Sequence, residues 1–168
     1  RKLNADFSKI REIMRDSYPR NFGLAKAGFV GGPCLMKDSM QISYLYKNKK
    51  SLVNSAYALN ENLPNILISE LKKIKNIKRK NIGILGLTFK AESDDVRGSL
   101  AIKLIKLLKK NKLKFLLSDP FIKIENNISP KSLIKKSEII IVGANHKMYR
   151  NLKINKSKQL IDLAGFIK

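Results

Sequence analysis

At 168 residues, 43% of them hydrophobic, the chain can bury a sizeable core, and it contains no run of ~18 apolar residues of the kind a membrane-crossing helix needs. Its single cysteine rules out an internal disulfide, gives no reason to expect a metal cluster, and fits a reducing, cytoplasmic setting. The formal net charge of +22 attracts phosphate-bearing partners in general. However, the lysines are dispersed, they far outnumber the arginines, and tryptophan is absent, so the charge reads as a solvated surface rather than a specific nucleic-acid or membrane reader.

The opening "RKLNADFSKIREIMRD" has no apolar signal core. Leu3, Phe7, Ile10, Ile13 and Met14 recur at helical spacing, which predicts a helix over residues 3–16 that Tyr18-Pro19 ends. Without an initiator Met, the start reads as the middle of a helix, so the chain is expected to be part of a longer protein. A glycine-rich loop follows, with Gly23, Gly28, Gly31 and Gly32 before Pro33. Asp38 is placed to cap a helix running to about Lys47, which "KNKK" breaks. From Ser51 the pattern Val53, Ala56, Tyr57, Leu63, Ile66, Leu67, Leu71, Ile74 predicts one long helix to about Ile77, kinked or divided at Pro64.

Beyond "KRKN" the period changes. "NIGILGLTF" (Asn81 to Phe89) reads as a buried strand and residues 98–110 as an amphipathic helix. "KLKFLLSD" reads as a second strand, and Ser129-Pro130 starts a short helix. "SEIIIVGA" reads as a third strand apolar on both faces, "HKMYRNL" as a helical turn and "QLIDLAGF" as a fourth strand. Strands alternating with helices predict a Rossmann-like α/β domain with a parallel sheet at 80–168, preceded by a mainly helical segment at 1–79 that carries the cysteine loop at 20–38. Such sheets bind ligands at the carboxyl ends of their strands.

Two stretches carry chemistry. In "GGPCLMKD" the glycines allow close backbone approach to a ligand, and Cys34 stands before Lys37 and Asp38. A nucleophile, a cation and a water-positioning acid are what thiolate attack on an aldehyde and the following hydrolysis require. The alternative is a small buried thiol with no reactivity. "GLTFKAESDDVRGS" runs from a strand end into a helix, where phosphates bind, and Lys90 and Arg97 are candidate anion contacts. The alternative is an ordinary charged loop in which Glu92, Asp94 and Asp95 cap the helix or pair with the cations. Gly83 and Gly86 do not complete a GxGxxG fingerprint. His146, alone before a helical turn, reads as a cap or surface residue.

Together these stretches, with "SDP" at Ser118 to Pro120 and "SEIIIVGANHKMYRNL", resemble the UDP-glucose/GDP-mannose dehydrogenase family of nucleotide-sugar dehydrogenases. The resemblance implies a UDP-sugar C6 alcohol oxidised to the uronic acid with two NAD in turn. On it, Cys34 matches the nucleophile that forms a thiohemiacetal and then a thioester, and Asp38 matches the acid that positions water. Lys37 and Arg97 match NAD contacts, and Lys90 matches a lysine at the bound nucleotide sugar. The loop carrying Arg20, Phe22, Leu24, Lys26 and Gly31 matches the segment that wraps that substrate, with Arg20 the candidate to reach a neighbouring subunit. A homodimer through the long helix is implied as well. Pro33 departs from the family's usual residue, and "IDLAGF" lacks a common family motif, so Asp162 is given no ligand role. The family's NAD-binding domain has no counterpart here, so the chain alone is expected to be inactive. The competing readings are a nucleotide-sugar binder without catalysis and a basic RNA-binding module.

Overall fold

The computed structural model describes residues 6–16, 18–45, 51–164 and 166–167. Among them, the helices are α1 (Phe7–Asp16), α2 (Pro33–Leu45), α3 (Leu52–Lys72), α4 (Leu100–Lys110) and α5 (Pro130–Lys136). The strands are β1 (Asn81–Leu85), β2 (Lys114–Ser118), β3 (Ile139–Val142) and β4 (Gln159–Ile161). Leu3 and the "KNKK" break lie outside the described residues.

The strands form one sheet in the order β2-β1-β3-β4, every pair parallel. Ile82 of β1 sits opposite Phe115 of β2 and Ile139 of β3. The two central strands are the most apolar stretches of the chain, as expected where both faces of a parallel strand are covered: Ile82, Ile84, Leu85, Ile140 and Ile141 are fully buried. On one face, Leu67, Ile68 and Leu71 of α3 and Leu104, Ile105 and Leu108 of α4 pack with Ile82, Ile84, Ile139 and Ile141. On the other, Leu133 of α5 and Tyr149 pack with Leu85 and Ile140. Gly83 makes that second layer possible, because a Cβ there would strike the Leu133 side chain and lie 2.7 Å from Ser137 Oγ. The α/β class and the parallel sheet are as the alternation implied.

Several boundaries differ from the sequence reading. α2 begins at Pro33, not after Asp38. Proline at the first helical position has its φ preset and needs no amide partner, so it starts the helix and leaves Asp38 inside it rather than at its cap. α3 ends at Lys72 and runs through the buried Pro64 without dividing. β1 stops at Leu85 because Gly86 takes φ +83° against Ala144. Ser51, Ser99 and Ser129 cap α3, α4 and α5, their hydroxyls accepting from the Asn54, Ile102 and Ser132 amides. The chain leaves β1 for β2 on one side and returns past β1 to β3 on the other, which opens a crevice at the carboxyl ends of β1 and β3.

Candidate functional site

The segment from Gly86 to Ser99 crosses this crevice, and a buried polar knot fixes its course. The Leu87 amide donates to Asp119 Oδ2 at 2.7 Å, and the Phe121 amide donates to Asp119 Oδ1 at 2.8 Å. His146, with no exposed surface, lies with Nε2 3.3 Å from Asp119 Oδ2 and 3.3 Å from Thr88 Oγ1. Its Nδ1 accepts the Glu92 amide at 3.0 Å, so the proton of the neutral ring sits on Nε2 and is donated to Asp119. Thr88 Oγ1 donates to the Lys90 carbonyl at 2.7 Å, and Glu92 Oε1 accepts the Lys147 amide at 2.8 Å. Ser99 Oγ closes the far end on the Leu87 carbonyl at 2.7 Å. Burial alone would push the Asp119 carboxyl up. The hydrogen bonds from His146 and the two amides outweigh it and hold the group below the usual carboxylate range. Beneath the knot, Tyr149 donates its hydroxyl to the Ser118 carbonyl at 3.0 Å, and burial pushes that phenol up.

The glycine turn before Cys34 packs directly on this segment. A Cβ at Gly31 would come 2.7 Å from the Gly98 carbonyl oxygen, and one at Gly32, where φ is +114°, would come 2.8 Å from the Phe89 ring. Only glycine allows that approach. Asn60 of α3 steadies the turn from behind, donating to the Val30 carbonyl at 2.7 Å and accepting the Val30 amide at 3.3 Å. Cys34 is therefore exposed in the first turn of α2, with Lys37 and Asp38 three and four residues on, along the same helical face.

Arg97 is exposed and held by Asp95 through Nε–Oδ1 and Nη2–Oδ2 contacts of 3.1 and 2.7 Å. That hydrogen bonding raises the guanidinium above its ordinary value and lowers the Asp95 carboxyl, and the nearby Cys34 adds a smaller pull on Arg97 in the same direction. Asp95 thus pairs with Arg97, while α4 is capped by Ser99 rather than by an acid. Lys37 Nζ lies 3.4 Å from Asp38 Oδ1, both exposed. A cavity of about 210 Å³ opens at the ends of β1 and β3, walled by Lys26, Gly28, Phe89, Lys90, Gly143 and Asn145 among others. Of the loop candidates, Lys26 reaches this cavity and Gly31 abuts its Phe89 wall. Arg20 instead rests 5.9 Å over the Tyr18 ring, and Phe22 and Leu24 face solvent.

The sequence pattern described as "UDP-glucose/GDP-mannose dehydrogenase family, UDP binding domain" matches residues 83–168, from the middle of β1 onward. The chain belongs to this family. It is 31% identical over 171 residues to the UDP-glucose 6-dehydrogenase of Rickettsia prowazekii (strain Madrid E), a match covering 88% of this chain and 39% of that protein. It is 30% identical over 155 residues to the UDP-N-acetyl-D-mannosamine dehydrogenase of Campylobacter jejuni, covering 85% and 38%. The solved UDP-D-ManNAc dehydrogenase of Pyrococcus horikoshii superposes with a TM-score of 0.80 at 25% identity, over 99% of this chain and 42% of that one. The chain thus spans about two fifths of the relatives it matches.

The sequence reading missed the centre of this UDP-binding domain. His146 is not a surface residue: it stands at the start of the Lys147–Tyr149 turn, but its ring points into the knot and caps nothing. A lone histidine gave no sign of this, because its partners Thr88, Glu92 and Asp119 lie 27 to 58 residues away. Among the described residues there is no glycine-rich strand-to-helix turn of the dinucleotide-binding kind. β1 does not turn straight into a helix, and the intervening segment is occupied by the knot. For NAD, Lys37 and Arg97 fit as exposed cations at an edge and nothing more. Among the described residues, no group of three or more His, Cys, Asp or Glu is placed to hold a metal ion, and no helix is long and apolar enough to cross a membrane.

Proposed function

We propose that this chain is the nucleotide-sugar-binding portion of an NAD-dependent UDP-sugar 6-dehydrogenase, with the UDP moiety in the cavity at the ends of β1 and β3. The supporting observation is the packing of Gly31 and Gly32 on Phe89 and Gly98, which sets the thiol-bearing turn against the Lys90 segment. Lys90 and Lys26 meet the substrate's anionic groups. The Cys34 thiolate forms a carbon–sulfur bond to the C6 aldehyde, and Asp38, one turn along α2, orients the water that later releases the acid. Lys37 keeps the Asp38 carboxylate turned along the helix face. Lys37 and Arg97 would contact NAD, which would supply the hydride acceptor when bound. Arg20, Phe22 and Leu24, exposed here, belong to a surface that a neighbouring subunit completes, in a homodimer assembled through the helices of residues 1–79.

Titration calorimetry tests this. UDP binds the chain, and Lys90→Ala weakens it by at least about tenfold, ~1.4 kcal/mol, while Cys34→Ser leaves affinity unchanged. The chain alone reduces no NAD. Within the complete enzyme, Cys34→Ser stops turnover at the aldehyde. Absence of UDP binding, or formation of the acid by Cys34→Ser, overturns the reading.

A further inference from the structure

Next to the β1/β3 cavity, and sharing Lys26, Ala27 and Ala164 with it, is a second cleft of about 310 Å³ between α1 and the end of the chain. Arg11, Arg15, Lys26 and Arg150 line it, with Glu12 as the one carboxylate among the described residues. None of the four cations pairs with a described carboxylate. Arg15 Nε is buried without a hydrogen-bond partner among the described residues. Two of the guanidinium groups are already fixed. Arg11 donates Nε to the Leu24 and Ala25 carbonyls at 2.8 and 3.1 Å. Arg150 lies 5.6 Å over the Phe166 ring, and the Phe166 amide is held by Asp162 Oδ2 at 2.7 Å.

Like charges gathered in a cleft repel one another, and a buried N–H without an acceptor costs about 1–3 kcal/mol. Both penalties are relieved by one kind of ligand, an oxyanion with several acceptor oxygens. Planar guanidiniums held in advance match phosphate with paired bonds and lose little further freedom on binding. We infer that this cleft is a phosphate-binding site, formed by Arg11, Arg15, Lys26 and Arg150, for a diphosphate-class ligand. That chemistry has two sources: the diphosphate tail of a nucleotide seated in the adjoining cavity, reached through Lys26, or a free polyphosphate-type anion.

The test is titration of inorganic pyrophosphate into the 168-residue chain at physiological salt, where diffuse surface attraction is largely screened. The expected result is saturable binding that Arg15→Gln with Arg150→Gln weakens by at least about tenfold. Lys109→Gln with Lys110→Gln, which removes the same charge at the end of α4, leaves it unchanged. Arg150→Gln alone, outside α1, gives a partial loss even where Arg15→Gln disturbs folding, and Arg15→Lys, which keeps the charge but lacks Nε, also loses affinity. A repeat with UDP present distinguishes the sources: displacement of pyrophosphate identifies the nucleotide tail, and undiminished binding identifies a free anion. Unchanged affinity in Arg15→Gln with Arg150→Gln, or an equal loss in Lys109→Gln with Lys110→Gln, overturns the site. This outcome is separate from the nucleotide-sugar reading, which the dependence of UDP affinity on Lys90 tests.

Discussion

Asp119→Asn is the sharpest test of the knot, because the change is one atom and the geometry dictates its effect. Oδ2 receives the Leu87 amide at 2.7 Å and faces His146 Nε2 at 3.3 Å, while Oδ1 receives the Phe121 amide at 2.8 Å. An asparagine must turn its NH₂ toward one of these groups, so at least one buried donor meets a donor. A buried donor left without an acceptor costs about 1–3 kcal/mol. With a urea slope of ~2 kcal/mol/M, the unfolding midpoint falls by roughly 0.5–1.5 M at pH 7. The sign of the pH dependence follows from the depressed carboxyl. A carboxyl whose folded pKa is lowered stabilises the protein above its unfolded value, about 3.9, and that contribution fades as pH falls through the folded value. The gap between wild type and Asp119→Asn should therefore be full at pH 7 and close as the pH drops below ~4. Urea titrations at pH 7, 5, 4 and 3 measure it. Equal midpoints at pH 7, or a gap that persists unchanged at pH 3, would refute the argument.

His146→Phe keeps an aromatic ring beside Phe121 and Tyr149, whose centroids lie 4.9 and 5.4 Å away, but removes the acceptor for the Glu92 amide. That amide should exchange its hydrogen at least about tenfold faster, read by hydrogen-exchange mass spectrometry, with α4 unaffected. Gly83→Ala forces a methyl into Leu133 and Ser137 and should destabilise by about 1–3 kcal/mol in chemical denaturation. Leu133→Ala makes room for it, so the double variant should be more stable than the sum of the single losses implies, and strict additivity would count against the packing described.

The sheet was legible because its signal is local. "NIGIL" and "EIIIV" are apolar in every core position, and serines precede three helices, so the succession of elements and the class follow from residues within one turn or one strand, whereas the strand order β2-β1-β3-β4 does not. The Cys34 and Lys90 stretches stood out as candidates for the same reason, each being contiguous. What escaped depended on distance. The start of α2 was misplaced because Asp38 is an excellent cap in isolation, whereas Pro33 wins once Gly32 has turned the chain against Phe89. Pro64 suggested a break because propensity weighs the lost hydrogen bond, but burial of α3 against α4 and the sheet offsets that loss. His146 and Asp119 are single polar letters in apolar or turn contexts, and only tertiary contact joins them.

Charge and geometry act at different levels in this molecule. Thirty-five basic residues against thirteen acidic ones will draw any anion toward the surface, and that attraction cannot tell a nucleotide from RNA. Discrimination requires a few donors that do not move. At Lys90, the proposed nucleotide contact, the backbone is fixed: its carbonyl is tied to Thr88, Thr88 borders His146, and His146 is pinned between Glu92 and Asp119. The same buried carboxylate holds the Leu87 amide, so the start of the segment and its turn share one anchor. The Asp119 carboxylate has its hydrogen bonds met internally by the Leu87 and Phe121 amides and the His146 ring, with no surface lysine among them. Placement of the candidate nucleotide contact is thereby insulated from the salt-sensitive field around it.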